Sequence, residues 1–118
     1  MNKSSSEKGK LAEKIAQNYL KAIGYAIVEQ NHRNFFGEID IIAYKNDTLT
    51  FIEVKSTYSE NITALEKVTP QKCRRIFNIA NLFIHQKKNM YKKFAFEIIC
   101  VNVKTKKLNH FTREFFDF

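Results

Sequence analysis

Two apolar segments, Ile39–Tyr44 and Leu49–Val54, flank the dipeptide Asn46-Asp47, and no other stretch of the chain restricts its fold so tightly. Both segments are rich in the β-branched and aromatic residues that strands favour. Asn and Asp tolerate the left-handed backbone that a two-residue hairpin turn requires. With Asn46 and Asp47 at the turn, Lys45 faces Thr48; stepping outward sets Asp40 opposite Glu53 and Glu38 opposite Lys55. Alternation then places Glu38, Asp40, Glu53 and Lys55 on one face, continuing outward from Ile42, Tyr44, Leu49 and Phe51. Ile39, Ile41, Ala43, Ile52 and Val54 line the other face. Strands apolar on both faces are central strands, covered above and below.

Cross-strand acid–lysine pairs also decorate ordinary sheet surfaces, where they add little stability. Here they sit at the end of a hairpin that is otherwise apolar, so they belong at the rim of a cleft. Gathering like-charged carboxylates beside an apolar core is costly unless a cation compensates them. Hard oxygen ligands of this kind suit Mg²⁺ or Mn²⁺.

The rest of the chain supplies a cover for such a hairpin. Apolar residues at 11, 12, 15, 16, 19, 20 and 23 predict an amphipathic helix from Glu7 to Ile23, stopped by Gly24. Tyr25–Asn31 reads as a short strand, and His32–Phe36 as a basic, aromatic connection into the hairpin. The polar segment 56–68 reads as a mobile loop. Thr69-Pro70 is an N-cap followed by proline at the first helical position, and the helix it opens runs to about Gln86. Its inner stripe is Cys73, Ile76, Phe77, Ala80, Phe83 and Ile84. Lys92–Val103 and Leu108–Thr112 read as two further strands around a turn near Thr105-Lys106. The expected architecture is α/β, a mixed central sheet of about five strands flanked by helices. Residues 1–6 are expected to be disordered, 7–114 to form one domain, and 115–118 to be an aromatic tail.

Sixteen lysines and four arginines against twelve acids leave a net charge of +8. That balance favours a polyanionic partner. Base-specific readout relies on arginine, so the lysine excess points to the nucleic-acid backbone rather than to sequence. Cys73 and Cys100 are too few for a disulfide framework and lack zinc spacing. With no secretory-type apolar stretch at the start and no run long enough to span a bilayer, a cytoplasmic protein without a membrane partner is expected.

Several residues qualify the site. Glu13 lies about 20° from Leu20 on the helical wheel, at the edge of the stripe that packs on the sheet. It either reaches over the hairpin toward Asp40 and Glu53 or pairs at the surface with Lys10 or Gln17. Lys72, in the first turn of the second helix, either enters the cleft or snorkels to solvent. Arg33, Arg74 and Arg75 suit phosphate contact. His32, His85 and His110 share no spacing, which argues against a histidine metal site or dyad.

Taken together, these blocks resemble the PD-(D/E)xK nuclease superfamily with its restriction-endonuclease-like fold. More closely, the chain resembles the YraN family of small bacterial proteins related to archaeal Holliday junction resolvases. The likeness runs from about Gly9 to Val103. It is carried by Gly9 with Glu13, Gly24-Tyr25, Asn31-His32-Arg33, Gly37-Glu38-Ile39-Asp40-Ile41-Ile42, Phe51-Ile52-Glu53-Val54-Lys55, and Val68-Thr69-Pro70 with Lys72 and Arg75. The resemblance implies Asp40 and Glu53 as metal ligands, Glu13 as the helical acid that joins them, and Lys55 as the catalytic lysine. An arginine common two places after that lysine is Thr57 here, and a late Phe-Asp pair is Phe96-Glu97.

The resulting expectation is a Mg²⁺- or Mn²⁺-dependent endonuclease acting on DNA, with branched or junction DNA as the resemblance suggests. Glu38 would support Lys55 or pair with Arg33, while Arg33, Lys72, Arg74 and Arg75 would bind nucleic acid. RNA stays open as a substrate. The rival reading is a non-catalytic nucleic-acid-binding or adaptor protein that keeps the fold. Phe111, Phe115, Phe116 and Phe118 suggest a homodimer to which the tail contributes, or else rings closing over the chain's own core.

Overall fold

The computed structural model describes residues 3–58, 70–87 and 90–113, with the side chains of residues 3–6 and 113 left aside. Its elements run α1 (Lys3–Ala22), β1 (Ala26–Asn34), β2 (Gly37–Lys45), β3 (Thr48–Thr57), α2 (Pro70–Gln86), β4 (Lys93–Asn102) and β5 (Leu108–Arg113). The five strands form one mixed sheet in sequential order. All neighbours are antiparallel except β3 and β4, whose parallel pairing runs from Thr48↔Lys93 to Thr57↔Asn102. A parallel pair needs a crossover connection, and α2 lies in it.

Local sequence explains the punctuation. Asn46 and Asp47 both have positive φ, 51° and 63°, and the β2–β3 ladder beside them runs from Lys45↔Thr48 to Ile41↔Ile52. At the end of α1, Gly24 takes φ 101° and its N–H donates to the Lys21 carbonyl, while the Tyr25 N–H donates to that of Leu20. That pattern is the glycine-terminated helix stop. Among the described residues, no helix is long and apolar enough to cross a membrane.

The sheet is covered on both faces. Ala12, Ala16 and Leu20 of α1 pack with Ile41, Ala43, Ile52, Ile99 and Val101. On the other face Ile76, Ile79, Ala80, Phe83 and Ile84 of α2 pack with Ile39, Ile42, Leu49, Phe51, Phe96 and Ile98. Cys100 is buried in that second core, and both cysteines are free thiols. Phe111 packs at its edge. The rest of the aromatic tail and the Thr69 cap lie outside the described residues.

Ser56 and Thr57, expected in a loop over 56–68, instead end β3, held there by parallel pairing with Val101 and Asn102 of β4, and residues 59–68 of that loop lie outside the described residues. Four further differences from the sequence reading have physical causes. The helix starts at Lys3, so residues 3–6 extend it before the apolar stripe begins. Once a helix is nucleated by packing, adding turns needs little further stabilisation. The β1 strand runs on through His32 and Arg33 to Asn34, leaving only Phe35 and Phe36 as the turn; His32, expected in a connection, packs edge-on against Phe83. Ile79 belongs to the inner stripe of α2, whereas Cys73 and Phe77 are only half-buried. The fourth concerns alternation. Ile39 lies in the α2 core and Ile41 in the α1 core, although they are two residues apart on one strand. Regular pleating would put both on one face. The strand therefore rolls over between them, at Asp40, beside Asn31 of β1 with its left-handed φ of 50°.

Candidate metal and phosphodiester centre

The roll of β2 coincides with a parting of the strands. Beyond Ile41↔Ile52 the β2–β3 ladder stops, while β3 continues to pair with β4 as far as Thr57. The expected cross-strand partners Asp40–Glu53 and Glu38–Lys55 are therefore not ladder pairs. Asp40 bridges the gap with its side chain instead: Oδ2 accepts a 2.8 Å hydrogen bond from the Val54 N–H. Glu38 turns the other way, toward β1, where Arg33 Nη2 donates to its Oε2 at 2.8 Å.

Three carboxylates, Glu13, Asp40 and Glu53, share this cleft, and the charge of Glu38 is felt beside them. Burial pushes the Asp40 carboxyl up to about 6; the Val54 N–H opposes that shift, and the charges of Glu13, Glu53 and Glu38 add to it. Glu13 on α1 is also raised, first by burial; its hydrogen bond with Asn31 opposes the rise and the Glu38 charge reinforces it. Of the two positions open to it, Glu13 thus takes the one facing the sheet. A carboxylate at the end of a strand whose proton is retained by burial and by its own kind is a position with unmet demand for positive charge.

Lysines meet part of that demand. Glu53 Oε2 lies 2.8 Å from Lys72 Nζ and 3.3 Å from Lys55 Nζ. Both contacts are ion pairs, yet this buried oxygen receives no aligned hydrogen bond. Lys72 thus enters the cleft from the first turn of α2 rather than snorkelling outward. Its pKa is lowered by burial and by the neighbouring Lys55 ammonium, with Glu53 opposing. Burial also works against the charge on Lys55, but its contacts with Lys72 and Glu53 and the charge of Asp40 outweigh it and raise that pKa. Arg33 and Arg75 flank the cleft: the Arg33 side chain is 78% exposed, and Arg75 reaches the Gly37 end of β2. Arg74 is exposed on α2.

Among the described residues, no three acidic, histidine or cysteine side chains converge closely enough to hold a metal as they stand. Glu53 is turned to the lysines rather than to Asp40. The donor set nonetheless suits a hard divalent cation: carboxylate oxygens from α1, β2 and β3, one of them buried without an aligned donor.

A model of the uncharacterised protein family UPF0102 matches residues 12–101, a span that holds every acid and lysine of this cleft. The chain belongs to UPF0102. It is 36% identical over 97 residues to a UPF0102 protein of Sulfurihydrogenibium sp. (strain YO3AOP1), covering 81% of this chain and 84% of the relative. It is 41% identical over 97 residues to one from Syntrophus aciditrophicus, covering 81% and 76%. With one from Clostridium kluyveri the identity is 40% over 100 residues, covering 84% and 82%.

This UPF0102 chain also holds a polar cluster that sequence reasoning missed. Glu97 of β4 is buried; His110 Nε2 lies 2.7 Å from its Oε1, and the Tyr25 hydroxyl donates to the same oxygen at 3.0 Å. Tyr19 OH lies 2.9 Å from His110 Nδ1. A signal was available in the β4–β5 hairpin, which pairs Glu97 with Thr112 and Ile99 with His110. Glu97 and His110 are thus diagonal neighbours across a hairpin, within reach of long side chains.

Proposed function

We propose that this UPF0102 protein is a metal-dependent endonuclease that hydrolyses DNA phosphodiester bonds, and that its sheet is of the restriction-endonuclease-like kind. The observation that carries the reading is the parted end of β2 and β3, where Asp40 and Glu53 flank a gap bordered by Lys55 and Lys72. Glu13, Asp40 and Glu53 would hold Mg²⁺ or Mn²⁺. Such an ion, when bound, lowers the pKa of an attacking water and neutralises charge developing on the phosphoryl oxygens.

The protein's own residues do the remainder. Asp40 is fixed by the Val54 N–H, so its second oxygen stays available. Glu53 must swing off the lysines to meet Asp40. Lys55, charged and held beside both acids, orients the water and steadies the transition-state oxygens. Lys72, released from Glu53, is placed for a backbone phosphate; Arg33 and Arg75 extend that positive rim. With sixteen lysines to four arginines, contact with the backbone and DNA shape rather than base sequence would set selectivity.

A second reading has one observation in its favour. Glu53 already has two lysine partners within the protein, as a non-catalytic nucleic-acid-binding protein would have. Purified protein incubated with labelled branched and duplex DNA separates the two. The nuclease cuts with Mg²⁺ or Mn²⁺, and Asp40→Asn or Glu53→Gln each abolish cutting. Salt-sensitive DNA binding with no cleavage and no metal uptake would establish the non-catalytic protein.

A further inference from the structure

The tip of the β1–β2 hairpin presents two phenylalanines to solvent. Phe35 is 91% exposed and Phe36 42%, with ring centroids 5.2 Å apart in a T-shaped arrangement. Neither belongs to the two cores. Their position is nonetheless tightly set. Asn34 Nδ2 donates to the Ile79 carbonyl of α2 at 3.1 Å, and its Oδ1 accepts from the Phe36 N–H at 3.0 Å. Gly37 closes the turn with φ 141°, and its α-carbon packs so near α2 that an added Cβ would lie 3.1 Å from Ile79 Cδ1 and 3.4 Å from Arg75 Nη1. The hairpin is rooted on the helix at both ends of the turn, and the rings project from a rigid mount.

The charge around that mount selects the partner. Arg33, ion-paired with Glu38 and 78% exposed, precedes the turn, and Arg75 of α2 reaches Gly37 just after it, in a chain of net charge +8. Along β2, Phe36 is four residues from Asp40, about 13 Å at the rise of a strand, or about four base steps of one DNA strand. Exposed aromatic rings flanked by cations at that distance from a phosphodiester centre match unpaired bases, which offer a flat apolar face beside a phosphate chain. Paired bases inside a duplex do not, unless a ring is driven between them.

We propose that Phe35 and Phe36 form a stacking wedge for unpaired bases, so that the preferred substrates are DNAs with splayed or single-stranded nucleotides beside the scissile phosphate. The inference rests on the phosphodiesterase reading and specifies its substrate class. Stacking on aromatic side chains is sequence-tolerant, in keeping with the scarcity of arginine for base readout.

The test is a binding titration in chelator, where no cleavage occurs. It uses a forked DNA carrying 2-aminopurine at the branch, set against a fully paired duplex of equal length. Wild-type protein should bind the fork about tenfold more tightly than the duplex and quench the branch fluorophore. Phe35→Ala/Phe36→Ala should bring fork affinity down to the duplex level with duplex affinity and melting temperature retained, and Phe35→Trp should keep the preference. Equal affinity of the wild type for both DNAs, or a fork preference that survives the double alanine change, overturns the wedge. So does loss of a concentration-dependent dimer, seen by sedimentation, in a double variant whose fork preference is intact: the pair would then be a protein contact. A protein that stacks on the fork but never cuts keeps the wedge and loses the nuclease reading. One that cuts but binds fork and duplex alike does the reverse.

Discussion

Replacing Asp40 with asparagine should make the metal-free protein more stable, and the gain should depend on pH. The carboxyl is raised from 3.8 to about 6 in the folded chain, chiefly by burial and then by its acidic neighbours. Below pH 3.8 the group is protonated in both folded and unfolded chains and costs nothing. Between 3.8 and about 6 the folded chain holds a proton that the unfolded chain has released, so stability falls as the pH rises through that window. Above it the ionised carboxylate costs about 3 kcal/mol, at about 1.4 kcal/mol per pH unit. Asparagine keeps an oxygen to accept from the Val54 N–H and offers Glu13 and Glu53 a donor in place of a charge. Urea denaturation in chelator should therefore show Asp40→Asn up to about 3 kcal/mol more stable than wild type at pH 7.5, with about two thirds of that advantage gone by pH 4.5. Millimolar Mn²⁺ should stabilise the wild type and not the variant. A variant no more stable at pH 7.5, or equally advantaged at both pH values, would refute the reasoning.

The same cleft and its neighbour yield two further expectations. Lys72→Gln removes the closer cation from Glu53 Oε2, so Mn²⁺ should bind the variant several-fold more tightly while duplex DNA binds more weakly; calorimetry and a DNA titration read both, and unchanged metal affinity would mean that Lys72 does not compete for Glu53. Glu97→Leu removes the buried oxygens that meet His110 and Tyr25 and should lower stability at pH 7 by about 1–3 kcal/mol in urea denaturation. Wild-type stability in that variant would mean the network contributes nothing net.

Much of the fold was legible because it is written locally. Asn46-Asp47 set the turn and its register as far as Ile41↔Ile52, and Gly24 marked the end of α1. The two helices and the mixed five-strand sheet followed from periodicity. The inward-looking edge of the site was harder. Alternation with a period of two predicts a face only while the pleat is regular, and it fails at Asp40, where β2 rolls over beside the left-handed Asn31. Nothing local announces that β3 leaves β2 after Ile52 to follow β4, since that depends on a parallel partner some forty residues away. Glu53 and Lys72 meet for the same reason. The sequence leaves Lys72, in the first turn of α2, between cleft and solvent, because its contact is with a strand end whose position only the tertiary structure sets. Glu97, His110 and the two tyrosines come from α1, β4, β5 and the residue after Gly24, and composition alone gives no hint that they converge.

The central claim is that Glu13, Asp40 and Glu53 together hold a divalent cation. Anomalous diffraction from crystals soaked in Mn²⁺ tests it most directly. The account predicts one strong peak between Asp40 and Glu53, within reach of Glu13, with Glu53 Oε2 withdrawn from Lys72 and Lys55. A map at millimolar Mn²⁺ with no peak in the cleft, and with Glu53 still 2.8 Å from Lys72, would contradict it.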